Sequence, residues 1–228
     1  MTQEFRPNGF SILPPVVKNL LIINVIGFLA KNVMYKFGVD LNELLGLHFY
    51  KASDFRLYQL ISYMFMHGDF SHILFNMFAL WMFGNTLENV WGSKRFLIYY
   101  LICGVGAGLV QELVQFVGYE TTLAMYDSVK LGSTMMSMAE LMTTVGASGA
   151  VYGLLLAFGM LFPNSMIYVY FAIPIKAKWF VVIYGVIELV AGFTSSGNIA
   201  HFAHLGGMLF GWLVIRYWKK KNKLHRYE

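Results

Sequence analysis

Apolar residues run along the chain in long blocks, separated by short polar stretches. Six blocks approach the roughly 20 residues that a helix needs to cross a bilayer: 16–34, 70–90, 96–117, 147–162, 179–193 and 200–218. The fourth and fifth are short for a span. Two connections, 31–69 and 118–146, are too long for simple turns and suit interfacial helices. No internal repeat and no low-complexity tract interrupts the pattern. The expected fold class is an all-α membrane protein, a six-transmembrane-helix bundle formed by a single domain over 1–228.

Composition supports that reading. The chain is 57% hydrophobic and 13% charged, against about 25% charged in a soluble domain. The net charge of +5 does not form a nucleic-acid stripe, because the basic residues sit at block ends and in the tail 219–226. No nucleic-acid partner is expected; the bilayer is. The N-terminal stretch lacks the basic start and small-residue cleavage site of a signal peptide, so the first block is expected to insert and stay. With the N-terminus inside, twelve lysines and arginines fall on the inner side and five on the outer. That bias predicts both termini in the cytoplasm. Cys103 is the one cysteine, so no internal disulfide can form.

Several polar residues interrupt the blocks, and polar groups inside a membrane are functional candidates by default. The second block opens with His67, His72 and Asn76; His72 and Asn76 are four apart and share a helix face. The sixth opens with His201 and His204, and His204, Gly207 and Gly211 line one face. Gly207 and Gly211 give the small-xxx-small spacing that lets helix backbones approach closely. The fourth block is smooth to match, with Gly146, Ala147, Gly149, Ala150 and Gly153 around Ser148. Packed glycine to glycine, the two helices would bring Ser148 and His204 together. A serine hydroxyl needs a base to take its proton, and neutral His204 suits that role. No acidic residue lies beside His204 on its own helix, so Tyr152, one turn after Ser148, is the candidate to hold the ring. Asn76, His72, Gly146 and the backbone N–H of Ser148 are the candidate oxyanion-stabilising set.

These residues resemble the rhomboid family of intramembrane serine proteases over about 58–211. The nucleophile motif is matched by Gly146-Ala147-Ser148-Gly149, with the tyrosine at Tyr152. The histidine motif is matched by Ala203-His204, Gly207 and Gly211, which selects His204 over His201. The second-helix motif is matched by His67, His72 and Asn76, and an inner glycine and glutamate by Gly84 and Glu88. One departure is visible: Tyr58-Gln59 stands where many members have Trp-Arg, and Arg56 is out of register.

The resemblance implies a rhomboid-like membrane domain with its catalytic core at about 58–218. It implies a serine endopeptidase with a Ser148–His204 dyad, no metal and no other cofactor. Its substrates would be single-pass transmembrane proteins, cut in or next to the membrane segment. The region 179–198 would act as gate and cap. A bacterial source would place the chain in the inner (plasma) membrane. Oligomeric state, the physiological substrate and the roles of His67, His201, Glu112 and Glu188 are left open.

Two other readings stand beside this one. A non-catalytic rhomboid-like protein would bind membrane proteins without cutting them, although such relatives characteristically lose the serine or the histidine. A metal-dependent membrane hydrolase would use His67, His72, His201 and His204, but no His-Glu-x-x-His motif is present.

Overall fold

The computed structural model describes residues 11–126, 143–169, 172–194 and 199–221. It is mostly helical. Helix α1 is Pro15–Tyr35, followed by two short helices, α2 (Leu41–Leu45) and α3 (Gln59–Ser62). The long helices α4 (Phe70–Trp91) and α5 (Ser93–Tyr126) come next. After them are α6 (Ser148–Leu161), a hairpin of β1 (Met166–Val169) and β2 (Ile173–Lys176), α7 (Ala177–Thr194) and α8 (Ile199–Lys220).

Each apolar block coincides with a helix, but two expectations need correcting. The third block ends at 117 on paper, whereas α5 continues to Tyr126. Its last turns are amphiphilic rather than apolar: Glu120 pairs with Lys51 at 2.7 Å and Thr121 bonds back to the Val117 carbonyl. The remainder of that connection, 127–142, lies outside the described residues. The second correction is the antiparallel hairpin, where an all-α fold was expected; Met166 pairs with Lys176 and Val169 with Ile173. Its strands, MIYV and IPIK, are rich in β-branched residues at a length too short for a helix.

Among the described residues, three helices are long and apolar enough to cross a membrane by composition, Pro15–Tyr35, Ser93–Thr121 and Ala177–Thr194, and Ser148–Leu161 is a shorter apolar helix. Helices α4 and α8 carry the polar residues that lower their hydropathy. Exposed Ile22, Ile26 and Leu29 on α1, and Val182, Val186 and Val190 on α7, form apolar faces suited to lipid and costly in water.

Local chemistry sets the helix ends. Pro14 and Pro15 start α1, where a missing N–H costs nothing. The next two N–H groups, of Val16 and Val17, donate to the buried Glu88 carboxylate at 2.9 and 2.8 Å. Glu88 also accepts from Ser93 Oγ at 2.6 Å, so one side chain joins the starts of α1 and α5 to the end of α4. Asp69 caps α4 by accepting from the His72 N–H at 2.8 Å. In the core, α5, α6 and α8 meet around fully buried Tyr99, Cys103, Leu154, Leu161 and Ile215. Tyr99 donates to the Gly153 carbonyl at 2.8 Å.

Candidate active site

Ser148 is the first residue of α6, and its position is set by the strand of chain before it. Leu47 and Thr144 form an isolated antiparallel bridge. Gly146 then donates its N–H to the Tyr63 carbonyl at 2.9 Å. Its φ of 130° is a conformation that disfavours any side chain. The chain turns sharply there and enters the helix, leaving the first-turn N–H groups without intrahelical acceptors.

Close packing of α6 on α8 brings the serine to its base. A Cβ on Gly207 would lie 1.8 Å from the Gly149 carbonyl oxygen of α6, whereas one on Gly211 would lie 2.3 Å from the Tyr99 hydroxyl of α5, so Gly207 faces α6 and Gly211 faces α5. Only glycine allows that approach. The consequence is a distance of 2.8 Å between Ser148 Oγ and His204 Nε2.

Two contacts fix the His204 ring. Tyr152 stacks on it with ring centroids 4.2 Å apart and planes 5° from parallel. The other contact was not anticipated from the sequence: Glu188, from α7, places Oε2 3.0 Å from His204 Nδ1, off the line of a straight hydrogen bond. The same oxygen lies 2.7 Å from His201 Nδ1, and Oε1 accepts from the Tyr152 hydroxyl. A neutral His204 that accepts the serine proton at Nε2 carries its own proton on Nδ1, facing Glu188. The acid comes from a different helix than His204, so spacing along α8 does not reveal it. The available signal was that Glu188 is the one acidic residue in the apolar helix α7.

Two of the candidate oxyanion donors, His72 and Asn76, lie on α4. His72 Nδ1 accepts from the Gly68 N–H at 3.4 Å, which leaves the proton of a neutral ring on Nε2. A Cβ on Gly146 would meet that Nε2 at 2.7 Å and Ser148 Oγ at 3.6 Å, so His72 and the serine flank the same glycine. Asn76 is buried on α4 one turn further on. His67 lies behind them. Its ring is fully buried and packs edge-on against His72 at 5.0 Å. Burial, with His72 and Lys31 nearby, pushes the His67 imidazole down to about 3. Lys31 donates to the carbonyls of His67 and Gly68 at 2.7 and 2.5 Å and holds this loop against α1.

The remaining open positions have structural partners. Glu112 accepts the Tyr50 N–H at 2.7 Å. Gln59 accepts the Arg56 N–H and donates to the Asp54 carbonyl, closing the first loop on itself. For a metal, the group with ligand-like spacing among the described residues is Glu188, His201 and His204, whose donor atoms lie within 4.8 Å of one another. It is not the four-histidine set considered from the sequence. Nε2 of His204, moreover, is turned away from that group and toward Ser148.

Comparison with known proteins agrees with the motifs. The family model described as Rhomboid domain matches residues 54–221. RHOMBOID-like protein 12, mitochondrial, from Arabidopsis thaliana is 30% identical over 207 residues, covering 88% of this chain and 58% of that protein. Rhomboid protein 1, mitochondrial, from Saccharomyces cerevisiae is 29% identical over 165 residues, covering 70% and 42%. Rhomboid protease GluP of Bacillus subtilis is 30% identical over 159 residues, covering 69% and 25%. The chain thus spans about half the length of the first two relatives.

Proposed function

The chain belongs to the rhomboid family of integral membrane proteins, and from that premise we propose that it is an intramembrane serine endopeptidase. It hydrolyses a peptide bond in or next to the transmembrane segment of single-pass membrane proteins. The observation that carries this reading is the 2.8 Å contact between Ser148 Oγ and His204 Nε2.

Ser148 Oγ attacks the scissile carbonyl carbon while its proton passes to His204 Nε2. The oxyanion is met by the Ser148 backbone N–H and by the side chains of His72 and Asn76, beside the uncluttered Gly146. One such donor contributes roughly 3–4 kcal/mol to the transition state. His204 then returns the proton to the leaving amine, and water repeats the cycle on the acyl-enzyme. No metal or organic cofactor is required. Six spans with both termini cytoplasmic fit the helix pattern and the lysine and arginine bias, and put Ser148 near the outer end of α6. A bacterial source places the chain in the inner membrane.

The metal-hydrolase reading keeps one supporting observation, the spacing of Glu188, His201 and His204. One experiment addresses both readings: cleavage of a model single-pass substrate in liposomes by wild type, Ser148→Ala and His204→Ala, with a chelator added to one wild-type sample. The protease reading expects cutting by wild type alone, indifferent to chelator. Cutting by Ser148→Ala, or its loss on chelation, sinks that reading.

A further inference from the structure

Glu188 is an acid in an otherwise apolar helix, with its side chain only 8% exposed. Burying a carboxylate is costly unless it is hydrogen-bonded. Its two oxygens face three groups from two other helices that can donate: the Tyr152 hydroxyl at Oε1, and, in the tautomer with the proton on Nδ1, the rings of His201 and His204 at Oε2. That arrangement gives each oxygen at least one polar neighbour. A tyrosine hydroxyl and neutral imidazoles satisfy the carboxylate as donors without cancelling its charge. The negative charge therefore stands 3.0 Å from the edge of His204 opposite its contact with the serine.

We propose that Glu188 is a positioning residue that, with Ser148 and His204, makes a three-member relay whose acid is supplied by α7. The proposal rests on the serine-protease reading above. When Ser148 Oγ bonds to the carbonyl carbon, its proton moves to Nε2 and the ring becomes an imidazolium. Glu188 remains a carboxylate throughout and faces that new positive charge. The contact is a poorly aligned hydrogen bond in the resting site and an ion pair in the transition state, so it favours the reacting state over the resting one. Glu188 also holds the Tyr152 hydroxyl, and Tyr152 is the plate under the ring. One side chain therefore fixes both the edge and the face of the base. Because it comes from α7 while the serine and histidine come from α6 and α8, the relay is complete only when α7 is seated on both.

The test compares wild type, Glu188→Gln and Glu188→Asp in proteoliposomes, with Ser148→Ala as the baseline. Glutamine has nearly the same shape and keeps an acceptor for Tyr152, but it has no charge. Aspartate keeps the charge on a shorter stem. The expected result is a kcat lowered roughly a hundredfold in Glu188→Gln with KM unchanged, and a partial recovery in Glu188→Asp. Fluorophosphonate labelling of Ser148 should slow in the same order. The proposal is overturned if Glu188→Gln keeps wild-type kcat, if the loss appears in KM, or if aspartate does no better than glutamine. Loss of folding in both variants overturns it too, in favour of a purely structural carboxylate. If glutamine alone fails to fold, aspartate decides: a lowered kcat at constant KM supports the relay, and a changed KM with constant kcat overturns it. A wild type that neither cuts nor labels would sink the protease reading itself, which is a different result from cutting that ignores residue 188.

Discussion

Glu88 and Glu188 are the same chemical group at nearly the same burial, 2% and 6% exposed. Each sits in a long helix, and each has three partners. Those of Glu88 are two backbone N–H groups and a serine hydroxyl, at the junction of three helix ends. Those of Glu188 are a tyrosine and two histidines, at the mouth of the seam between α6 and α8. Burial alone does not distinguish a structural acid from one that takes part in chemistry. What distinguishes them is whether the partners can change charge. The α1 N-terminus carries a fixed partial positive charge that a carboxylate satisfies once and permanently. An imidazole gains a full charge during a reaction, so the energy of its contact with Glu188 changes as the reaction proceeds.

The largest expected effect comes from separating the two sides of the catalytic seam. Gly207→Ala sets a methyl group 1.8 Å from the Gly149 carbonyl oxygen, so the helices must move apart by roughly 1–1.5 Å to regain normal contact. A displacement of that size costs a nucleophile on the order of a hundredfold in rate. Cleavage by Gly207→Ala should fall at least that far, measured in liposomes per mole of folded enzyme. Wild-type turnover in this variant would mean that close approach of α6 and α8 does not set the Ser148–His204 distance.

A smaller effect of the opposite kind is expected from Glu88→Gln. The amide removes the charge at the α1 N-terminus and turns one acceptor into a donor facing Val16, Val17 or Ser93. The expected loss is about 2–3 kcal/mol of stability, read as a lowered Tm in detergent, with kcat of the folded fraction unchanged. Glu188→Gln should show the reverse, a lowered kcat with little change in Tm. Matching behaviour of the two variants would erase the distinction between the carboxylates.

The helices and the Ser148–His204 pairing are legible in the sequence, and the contrast between the two carboxylates is not, for physical reasons. Long apolar blocks identify helices because hydropathy is a local property. The glycines around Ser148 and below His204 signal a close helix pair because only small side chains permit one. Glu188 escaped because its role depends on how three helices rotate about one another. Spacing along α8 holds no information about α7. The hairpin at Met166–Val169 and Ile173–Lys176 escaped because two four-residue strands are too short to show a period. The departure at Tyr58-Gln59 has its own structural partners: Gln59 is buried and ties 54–59 together, and the Tyr58 hydroxyl donates to the Leu44 carbonyl.

The smallest effect concerns His67, which lies close to the seam without touching the reacting atoms. Both of its ring nitrogens are buried and lack hydrogen-bond partners among the described residues. Burial, then His72 and Lys31, lowers its folded value from 6.5 to about 3, while the Phe65 backbone and then Asp69 oppose the shift. As pH falls below 6.5 the unfolded chain takes up this proton and the folded chain does not. The contribution to stability is therefore complete above about 6.5 and is lost steadily as pH drops toward about 3. Tm in detergent should fall further between pH 7.5 and pH 4.5 in wild type than in His67→Asn. Other carboxylates and histidines titrate in both proteins and cancel in the difference. A single pH slope for the two would mean that His67 is charged in the folded protein, and that the loop held by Lys31 is wetter than its burial implies. A steeper slope in wild type would place His67 with Glu88, among the buried polar groups whose contacts concern folding alone.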